Sequence, residues 1–270
     1  MLNGIFVLVG IYVVWIIVLW FMQDGLVFPR AWATAHAHDF ERPGVEVIWV
    51  ESEAGPMPAW FFKGNGVSEQ TPAGALVMFH GNAMCIGDWF DEATALAATG
   101  INVLLPEYRG YGKAPGSPTQ KAITADVIAF VDALKARNEV KSDRIVYYGR
   151  SIGSAVAAQI ALARKPAGMI LHTPPTSIAR YAMRYGGPPV LIRNPFRTDH
   201  ALCELHDVPI LIVAHDADVL VELAQPRRLK EIAPHAEFLE VGGTHNTFST
   251  RGDEAAFRAA RLEFLDRFTR

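Results

Sequence analysis

Short apolar runs alternate with longer amphipathic segments along most of the chain. The apolar runs are rich in Val, Ile, Leu and Phe and predict eight β-strands, over residues 45–50, 58–62, 75–79, 101–105, 144–148, 168–171, 209–214 and 237–241. The amphipathic segments predict helices over residues 88–98, 119–137, 151–164 and 255–268. Apolar strands that alternate with helices form a mostly parallel sheet with helices on both faces. We therefore predict an α/β fold.

The first segment of the chain departs from this pattern. Residues 5–22 are eighteen residues without a charge or a strongly polar side chain. As a helix they would span about 27 Å, close to the ~30 Å hydrocarbon core of a bilayer. Trp20 and Phe21 lie near the end of the run, where membrane helices carry interfacial aromatic residues. The pattern predicts one transmembrane anchor over residues 1–22, followed by a polar juxtamembrane connector over residues 23–43.

A cleaved signal peptide is the main alternative to a retained anchor. Small-x-small cleavage sites exist at residues 31–33 and 35–37, but they lie well beyond the apolar run, and no Lys or Arg precedes that run. A buried core helix would have to be apolar on every face, which is rare in a domain of this size. Arg30 and Arg42 follow the run, and this asymmetry favours a single-pass protein whose main domain is cytoplasmic.

Length, charge and side-chain chemistry exclude several classes of function. The 270 residues suffice for one large α/β domain, over residues 44–270, besides the anchor. The net charge is -3 without a basic run, so the sequence does not indicate a nucleic-acid partner. Two cysteines are too few for a disulfide framework. His36 and His38 beside Asp39 lack a fourth ligand, so no metal site is predicted.

Residues 149–153, Gly-Arg-Ser-Ile-Gly, lie between a predicted strand and a predicted helix. Gly-x-Ser-x-Gly in that setting is the nucleophile elbow of a serine hydrolase, a turn so tight that only small residues fit beside the serine. The turn lifts the hydroxyl above the sheet and directs a helix N-terminus at the reacting centre. Ser151 is therefore the candidate nucleophile. The alternative is that Ser151 merely caps the helix that follows it.

A base and an acid follow the serine in the chain. His245 lies in a glycine-rich loop directly after the last predicted strand, where it could reach the nucleophile as general base. Asp218 comes a few residues after the preceding strand and is the favoured acid, because it could turn back to fix the imidazole tautomer. Asp216 is the alternative acid and is otherwise expected to cap the turn. The order Ser151, Asp218, His245 is that of α/β-hydrolases.

An oxyanion hole is predicted from main-chain groups. Residues 80–83, His-Gly-Asn-Ala, follow the third predicted strand, and a glycine there lets a backbone N–H approach a developing negative charge. The two donors are expected to be the N–H groups of Asn82 and of Ile152, the residue after the nucleophile. His80 is expected to hold the loop. This chemistry needs no metal or organic cofactor.

With these motifs together, nearly the whole chain resembles the α/β-hydrolase superfamily, and more narrowly its members with one N-terminal membrane helix. The matching positions are Leu-Val-Phe-Pro at 26–29, His-Gly-Asn-Ala at 80–83, Glu-Tyr-Arg-Gly-Tyr-Gly at 107–112, Gly-Arg-Ser-Ile-Gly at 149–153, Asp218, and Gly-Thr-His-Asn at 243–246. The resemblance implies an eight-stranded sheet and a cap, here short, over about residues 174–200. The family usually has Gly at His215, Val-Pro at residues 221–222 and Asp at Glu107, and the first two departures leave Asp216 open as the acid.

The resemblance implies hydrolysis of an ester, a thioester or an amide. The expected function is a membrane-anchored serine hydrolase that cleaves a carboxylic ester or thioester of a lipid or of another acylated substrate. A membrane-bound serine peptidase of the same fold is the first alternative. A non-enzymatic, membrane-tethered binding module is the second, and the complete set of catalytic residue types counts against it.

Overall fold

The computed structural model describes residues 2–34 and 39–270. The cleavage site considered at residues 35–37, and with it His36 and His38, lies outside the described residues. The described chain forms one eight-stranded sheet in the order β1-β2-β4-β3-β5-β6-β7-β8. Its strands are β1 Glu46–Val50, β2 Met57–Phe62, β3 Ala73–Phe79, β4 Asn102–Pro106, β5 Val140–Arg150, β6 Gly168–His172, β7 Ile210–His215 and β8 Glu237–Val241.

The two pairings at the β1 end of the sheet are antiparallel and the rest of the sheet is parallel. β2 pairs antiparallel with β1 and with β4, whereas the neighbours from β4 through β3 to β8 run parallel. All parallel strands therefore end at one edge, where ligands bind in open α/β sheets. The predicted α/β class and the number of strands are confirmed.

The α-helices of the described residues are α1 Leu2–Val27, α2 Arg30–Thr34, α3 Phe90–Ala97, α4 Gln120–Lys135, α5 Ile152–Ala163, α6 Ala179–Ala182, α7 Thr198–Glu204, α8 Ala224–Ile232 and α9 Arg251–Thr269. The sequence analysis predicted α3, α4, α5 and α9 between or after strands. It did not predict α2, α6, α7 and α8. Three of these span at most seven residues, too short for a periodic apolar face, and α8 is predominantly polar.

The core lies on both faces of the sheet. Along β3, Val77 and Phe79 pack in one buried cluster with α4 and α5, while Leu76 and Met78 pack in a second with α3 and α9. Successive side chains of a strand point to opposite faces, so a strand buried on both faces must be apolar throughout. This is why the central strands read as uninterrupted apolar runs in the sequence.

The candidate membrane span, Gly4–Ala33, is long and apolar enough to cross a membrane by length and composition, and it includes most of α1 and the start of α2. None of its most apolar window is buried in the protein. Helix α1 continues beyond residue 22, through the polar Gln23 and Asp24, and ends at Val27. The first residues of the predicted connector are thus helical, and they contact residues 191–194 in the segment predicted as the cap.

Candidate active site

The turn between β5 and α5 is strained at Ser151. Its φ of +56° lies in the left-handed region, which a residue with a side chain adopts only under constraint. A Cβ atom on Gly149 would lie 2.2 Å from the carbonyl oxygen of Gly153, and one on Gly153 would lie 2.0 Å from that of Phe79. Both contacts are with backbone atoms that cannot move aside cheaply. Glycine is thus required on both sides of the serine, as the elbow motif predicts.

Three predicted site residues lie in one hydrogen-bonded series. The hydroxyl of Ser151 lies 3.0 Å from Nε2 of His245, and Nδ1 of His245 lies 2.7 Å from Oδ2 of Asp218. With Nδ1 donating to the carboxylate, Nε2 is left to accept the serine proton. This is the geometry in which a histidine removes a proton from a nucleophile, at distances inside the range required of a general base.

Asp218 is held as an ion. Burial raises the pKa of its carboxyl, but the hydrogen bond from His245 and those from the N–H groups of Val221 and Leu220 lower it more, and the net pKa lies below its usual value. Both N–H groups donate to Oδ1 at 2.8 Å. Oδ2 is therefore free to orient His245, and the charge is available to stabilise an imidazolium.

Asp216, the alternative acid, has a different contact. Its Oδ1 atom accepts a hydrogen bond of 2.9 Å from the N–H of Gly243. Its own N–H donates to the carbonyl of Val241 at 3.1 Å. The side chain therefore ties the β7 loop to the glycine-rich β8 loop, while Asp218 contacts the imidazole.

Asn82 and Ile152, the two predicted oxyanion donors, line the same cavity as Ser151. Among the described residues, neither backbone N–H has an acceptor within the protein. The side chain of Asn82 donates to the carbonyl of Val27 at 3.3 Å, which links the loop to the end of α1. Two unpaired main-chain donors beside a candidate nucleophile could stabilise the anion of a tetrahedral intermediate.

His80 lies beneath this loop, buried, and holds it from below. Its Nδ1 atom lies 2.8 Å from the carbonyl of Gly81, and its Nε2 atom lies 2.9 Å from Oε1 of Glu107. The ring packs on that of Tyr108 with centroids 3.8 Å apart. Glu107 also accepts hydrogen bonds from the N–H groups of Ile86 and Tyr108. The longer carboxylate at position 107, where the family usually has Asp, thus connects three parts of the chain.

Arg150, the residue before the nucleophile, contacts the loop of the base, which the sequence analysis did not predict. Its guanidinium donates to the carbonyl of His245 at 3.0 Å and to Oδ1 of Asn246 at 3.4 Å. The contact joins positions 95 residues apart, and no local pattern in the sequence marks it.

A buried chain of hydrogen bonds supports the same loop from the other side. The hydroxyl of Tyr148 lies 3.1 Å from Nδ1 of His172, and Nε2 of His172 lies 2.9 Å from Nε2 of His215. Nδ1 of His215 in turn contacts the carbonyl oxygen of Thr244. The backbone carbonyl of His172 also accepts the N–H of Ser151 at 2.9 Å, so this residue touches both the elbow and the chain.

With both imidazoles neutral, one set of proton positions satisfies every member of this chain. The carbonyl of Thr244 accepts only, so Nδ1 of His215 donates and its Nε2 accepts. His172 must then donate from Nε2 and accept at Nδ1 from Tyr148. Both imidazoles are neutral in this arrangement. Burial lowers the pKa of His172 well below its usual value and also lowers that of His215, with Arg150 adding to both shifts.

A cavity of about 380 Å³ lies over Ser151. Its lining is predominantly apolar. The lining residues belong to α1, to the loop after β3, to the cap and to the loops that follow β7 and β8. Among the residues that the structure describes, no Asp or Glu belongs to that lining. Across the described ranges, no group of three His, Cys, Asp or Glu side chains could hold a metal ion. The hydroxyl of Ser151 therefore faces a predominantly apolar cavity.

The comparisons with known proteins agree with this fold. A family model described as serine aminopeptidase, S33, matches residues 70–194. An uncharacterized protein of Mycobacterium tuberculosis is 30% identical over 240 residues, which cover 86% of this chain and 83% of that protein. The alpha/beta hydrolase domain-containing protein WAV2 of Arabidopsis thaliana is 28% identical over 248 residues, covering 83% of this chain and 79% of WAV2.

Among solved structures, an esterase of Thermogutta terrifontis superposes with a TM-score of 0.66 at 19% identity, covering 86% of this chain and 93% of the esterase. That likeness concerns the fold, since the identity is low. The similarity of sequence to the mycobacterial relative extends over most of both chains. The chain belongs to the α/β-hydrolase superfamily.

Proposed function

We propose that this protein is a serine hydrolase that cleaves a carboxylic ester or thioester. One observation supports it above the others: Ser151, His245 and Asp218 form a hydrogen-bonded series of 3.0 and 2.7 Å. His245 takes the proton of Ser151 as its Oγ attacks the carbonyl carbon, and the N–H groups of Asn82 and Ile152 bind the oxyanion. His245 gives the proton to the leaving group, and water then cleaves the acyl-enzyme with His245 again as base.

Labelling with a fluorophosphonate probe tests this assignment. We expect the wild type to label at one site and Ser151→Ala to lose both labelling and esterase activity, with a loss of about 10⁶ in kcat. Ser142→Ala, at an exposed position of β5, is the matched control and should label as the wild type does. Labelling that persists in Ser151→Ala would refute the assignment of the nucleophile, and a wild type that never labels would favour a binding module.

The lining of the cavity favours an acyl substrate over the peptide substrate of the alternative peptidase. An aminopeptidase must bind a positively charged α-amino group, which in a buried pocket calls for a carboxylate. The cavity is predominantly apolar, and its lining contains no Asp or Glu within residues 2–34 and 39–270. Because the matching family model is described as a serine aminopeptidase, the test compares ester substrates with peptide-like amide substrates. A panel of p-nitrophenyl esters beside aminoacyl p-nitroanilides should give turnover of the esters.

Helix α1 supports the proposal of a membrane anchor, with the hydrolase domain in the cytoplasm. It is long and apolar enough to cross a bilayer, and Arg30 and Arg42 follow it. The test is protease accessibility in sealed spheroplasts of an expressing bacterium. We expect protection of the domain until the membrane is opened, whereas digestion of the domain in intact spheroplasts would reverse the orientation. Release of the protein by alkaline carbonate would contradict the anchor.

A further inference from the structure

The apolar helix α1 forms one wall of the catalytic cavity. Ile16, Leu19 and Trp20 line the cavity together with Gln23, Leu26 and Val27 further along the helix. Their spacing of three and four residues places them on one face of the helix. Ser151 and the cap residues Ile178, Tyr181 and Leu191 line the same cavity. A tether alone would not need to contribute side chains to the cavity that contains the nucleophile.

Polar contacts fix the position of this helix along its axis relative to the cap. The carboxamide of Gln23 is 5% exposed, accepts the N–H of Arg193 at 2.8 Å and lies 3.5 Å from the carbonyl of Leu191. Asp24 pairs with the guanidinium of Arg193 at 2.8 Å and accepts from the amide of Asn194 at 3.0 Å. The amide nitrogen of Gln23 also donates to the carbonyl of Trp20 within α1 at 3.1 Å, so the contacts that specify the register of the helix are those of its Oε1 atom and of Asp24 with the cap.

Nearer the N-terminus of α1, two aromatic side chains donate hydrogen bonds to backbone carbonyls of the cap. Trp15 donates from its indole to the carbonyl of Tyr185 at 2.8 Å, and Tyr12 donates from its hydroxyl to the carbonyl of Gly186 at 3.0 Å. Both belong to the apolar run, and Tyr12 lies about 18 Å along the helix axis from Asp24 at ~1.5 Å per residue. That exceeds half of the ~30 Å hydrocarbon core of a bilayer.

In a bilayer whose headgroups lie at the level of Asp24, these contacts would place this part of the cap at the depth of the acyl chains. A loop carbonyl in hydrocarbon needs a donor, because no water is there to satisfy it, and α1 supplies one to each of the two carbonyls. The cap also exposes large apolar side chains: Met183 is 54% exposed, Tyr185 52% and Val190 86%. Such a surface is costly in water but favourable in a leaflet.

We propose that the face of α1 at Ile16, Leu19 and Trp20 is the binding wall for the acyl chain of a bilayer lipid. The lipid enters laterally from the leaflet, so that its ester carbonyl reaches Ser151. The anchor helix is thus part of the substrate site and determines the length of the acyl chain that the enzyme accepts. This inference rests on the proposed function, since it names the substrate class of that same site.

The test measures kcat/KM on p-nitrophenyl esters from butyrate to palmitate, with the full-length protein reconstituted in phosphatidylcholine vesicles. Leu19→Trp narrows the wall and should lower turnover of palmitate relative to butyrate by about 10-fold or more, as expected for lost space in an apolar pocket. Leu19→Ala enlarges the cavity at this wall and should shift the substrate preference toward longer acyl chains. Ile17→Trp, at an exposed position of α1 that does not line the cavity, is the control and should keep the wild-type profile.

The fluorophosphonate labelling rate of each variant separates the two hypotheses. If the variants label as the wild type does and Leu19→Trp and Leu19→Ala keep its chain-length profile, the acyl wall is refuted while the serine hydrolase stands. If the wild type neither labels nor hydrolyses any ester, the proposed function fails and the inference with it. Palmitate ester bound to serum albumin is the second arm. Faster turnover from albumin than from the vesicle would overturn lateral entry, and faster turnover from the vesicle would support it.

Discussion

Arg150 donates a hydrogen bond of 3.0 Å to the carbonyl oxygen of His245. The residue that precedes the candidate nucleophile therefore holds the loop that carries the candidate base. The preceding carbonyl, that of Thr244, is held by His215. Two consecutive carbonyls of the loop are thus fixed from two sides, so the 3.0 Å approach of His245 to Ser151 depends on residues that sequence motifs do not name.

Replacing Arg150 should slow catalysis without abolishing it. Arg150→Met removes both hydrogen bonds to the loop, and a displacement of the imidazole by about 1 Å would cost about 10²-fold in kcat. Arg150→Lys keeps the charge but not the planar donors, so we expect partial rescue. Steady-state kinetics on p-nitrophenyl butyrate and the fluorophosphonate labelling rate measure the effect.

The matched control for Arg150 is Arg258→Met, at an exposed arginine of α9 paired with Glu254. It should leave kcat unchanged. A variant Arg150→Met with wild-type kcat and only a raised KM would mean that Arg150 binds substrate, as its place in the cavity lining would allow, and does not position His245.

Asn substitutions at the two aspartates of the β7 loop should have different effects. Asp218→Asn presents an amide to His245 and favours the wrong tautomer, so kcat should fall by about 10⁴-fold. Asp216→Asn weakens the hydrogen bond to Gly243 and should mainly lower the free energy of unfolding, by about 1 kcal/mol. Esterase kinetics and urea denaturation of both variants separate these effects. Equal losses of kcat would contradict the assignment of Asp218.

The elbow and the order of the site residues could be predicted because their signals are local. Gly149 and Gly153 flank Ser151 for a steric reason that operates within five residues of chain. The contacts of Arg193 and Trp15 join positions about 170 residues apart, and no periodicity records such a pair. For the same reason the sequence analysis described α1 as a tether and did not identify its cavity-lining face.

The pairing of His172 with His215 lies beyond sequence patterns for a second reason. Each histidine alone in the sequence is indistinguishable from the other histidines of the chain, which number nine in all. The hydrogen bond between them forms only when β6 and β7 pair and bring the two Nε2 atoms to 2.9 Å. His215 stands where the family usually has glycine, and this departure was the one available signal.

The neutral pair of His172 and His215 should make stability fall in mild acid. The pKa of both imidazoles is lowered in the folded protein, chiefly by burial. Below the ordinary histidine value of about 6.5, the unfolded chain therefore takes up protons that the folded chain refuses. The free energy of unfolding should accordingly decrease as pH falls below ~6.5 and be unaffected by the pair above it.

The variant His215→Asn tests this pH dependence, because an Asn amide can still donate to the carbonyl of Thr244 but does not titrate. Urea denaturation between pH 7.5 and 5 should give a smaller decrease in stability than for the wild type. His206→Asn is the matched control, since Nδ1 of the exposed His206 also contacts a backbone carbonyl, that of Cys203. A His215→Asn profile parallel to the wild type would contradict the neutral chain.

Gly153→Ala should destabilise the elbow more than any exposed glycine substitution. The new Cβ would lie 2.0 Å from the carbonyl oxygen of Phe79, so β3 and α5 must separate, at a cost of ~3 kcal/mol or more. Gly252→Ala, at the start of α9, is the control: its Cβ would meet only the hydroxyl of Thr250 at 3.4 Å. There the helix preference of alanine should raise the free energy of unfolding by up to ~1 kcal/mol. Denaturation midpoints measure the stability of both variants, and fluorophosphonate labelling measures the reactivity of Ser151. If Gly153→Ala is as stable and as reactive as the wild type, the close approach of α5 to β3 does not hold the nucleophile in place.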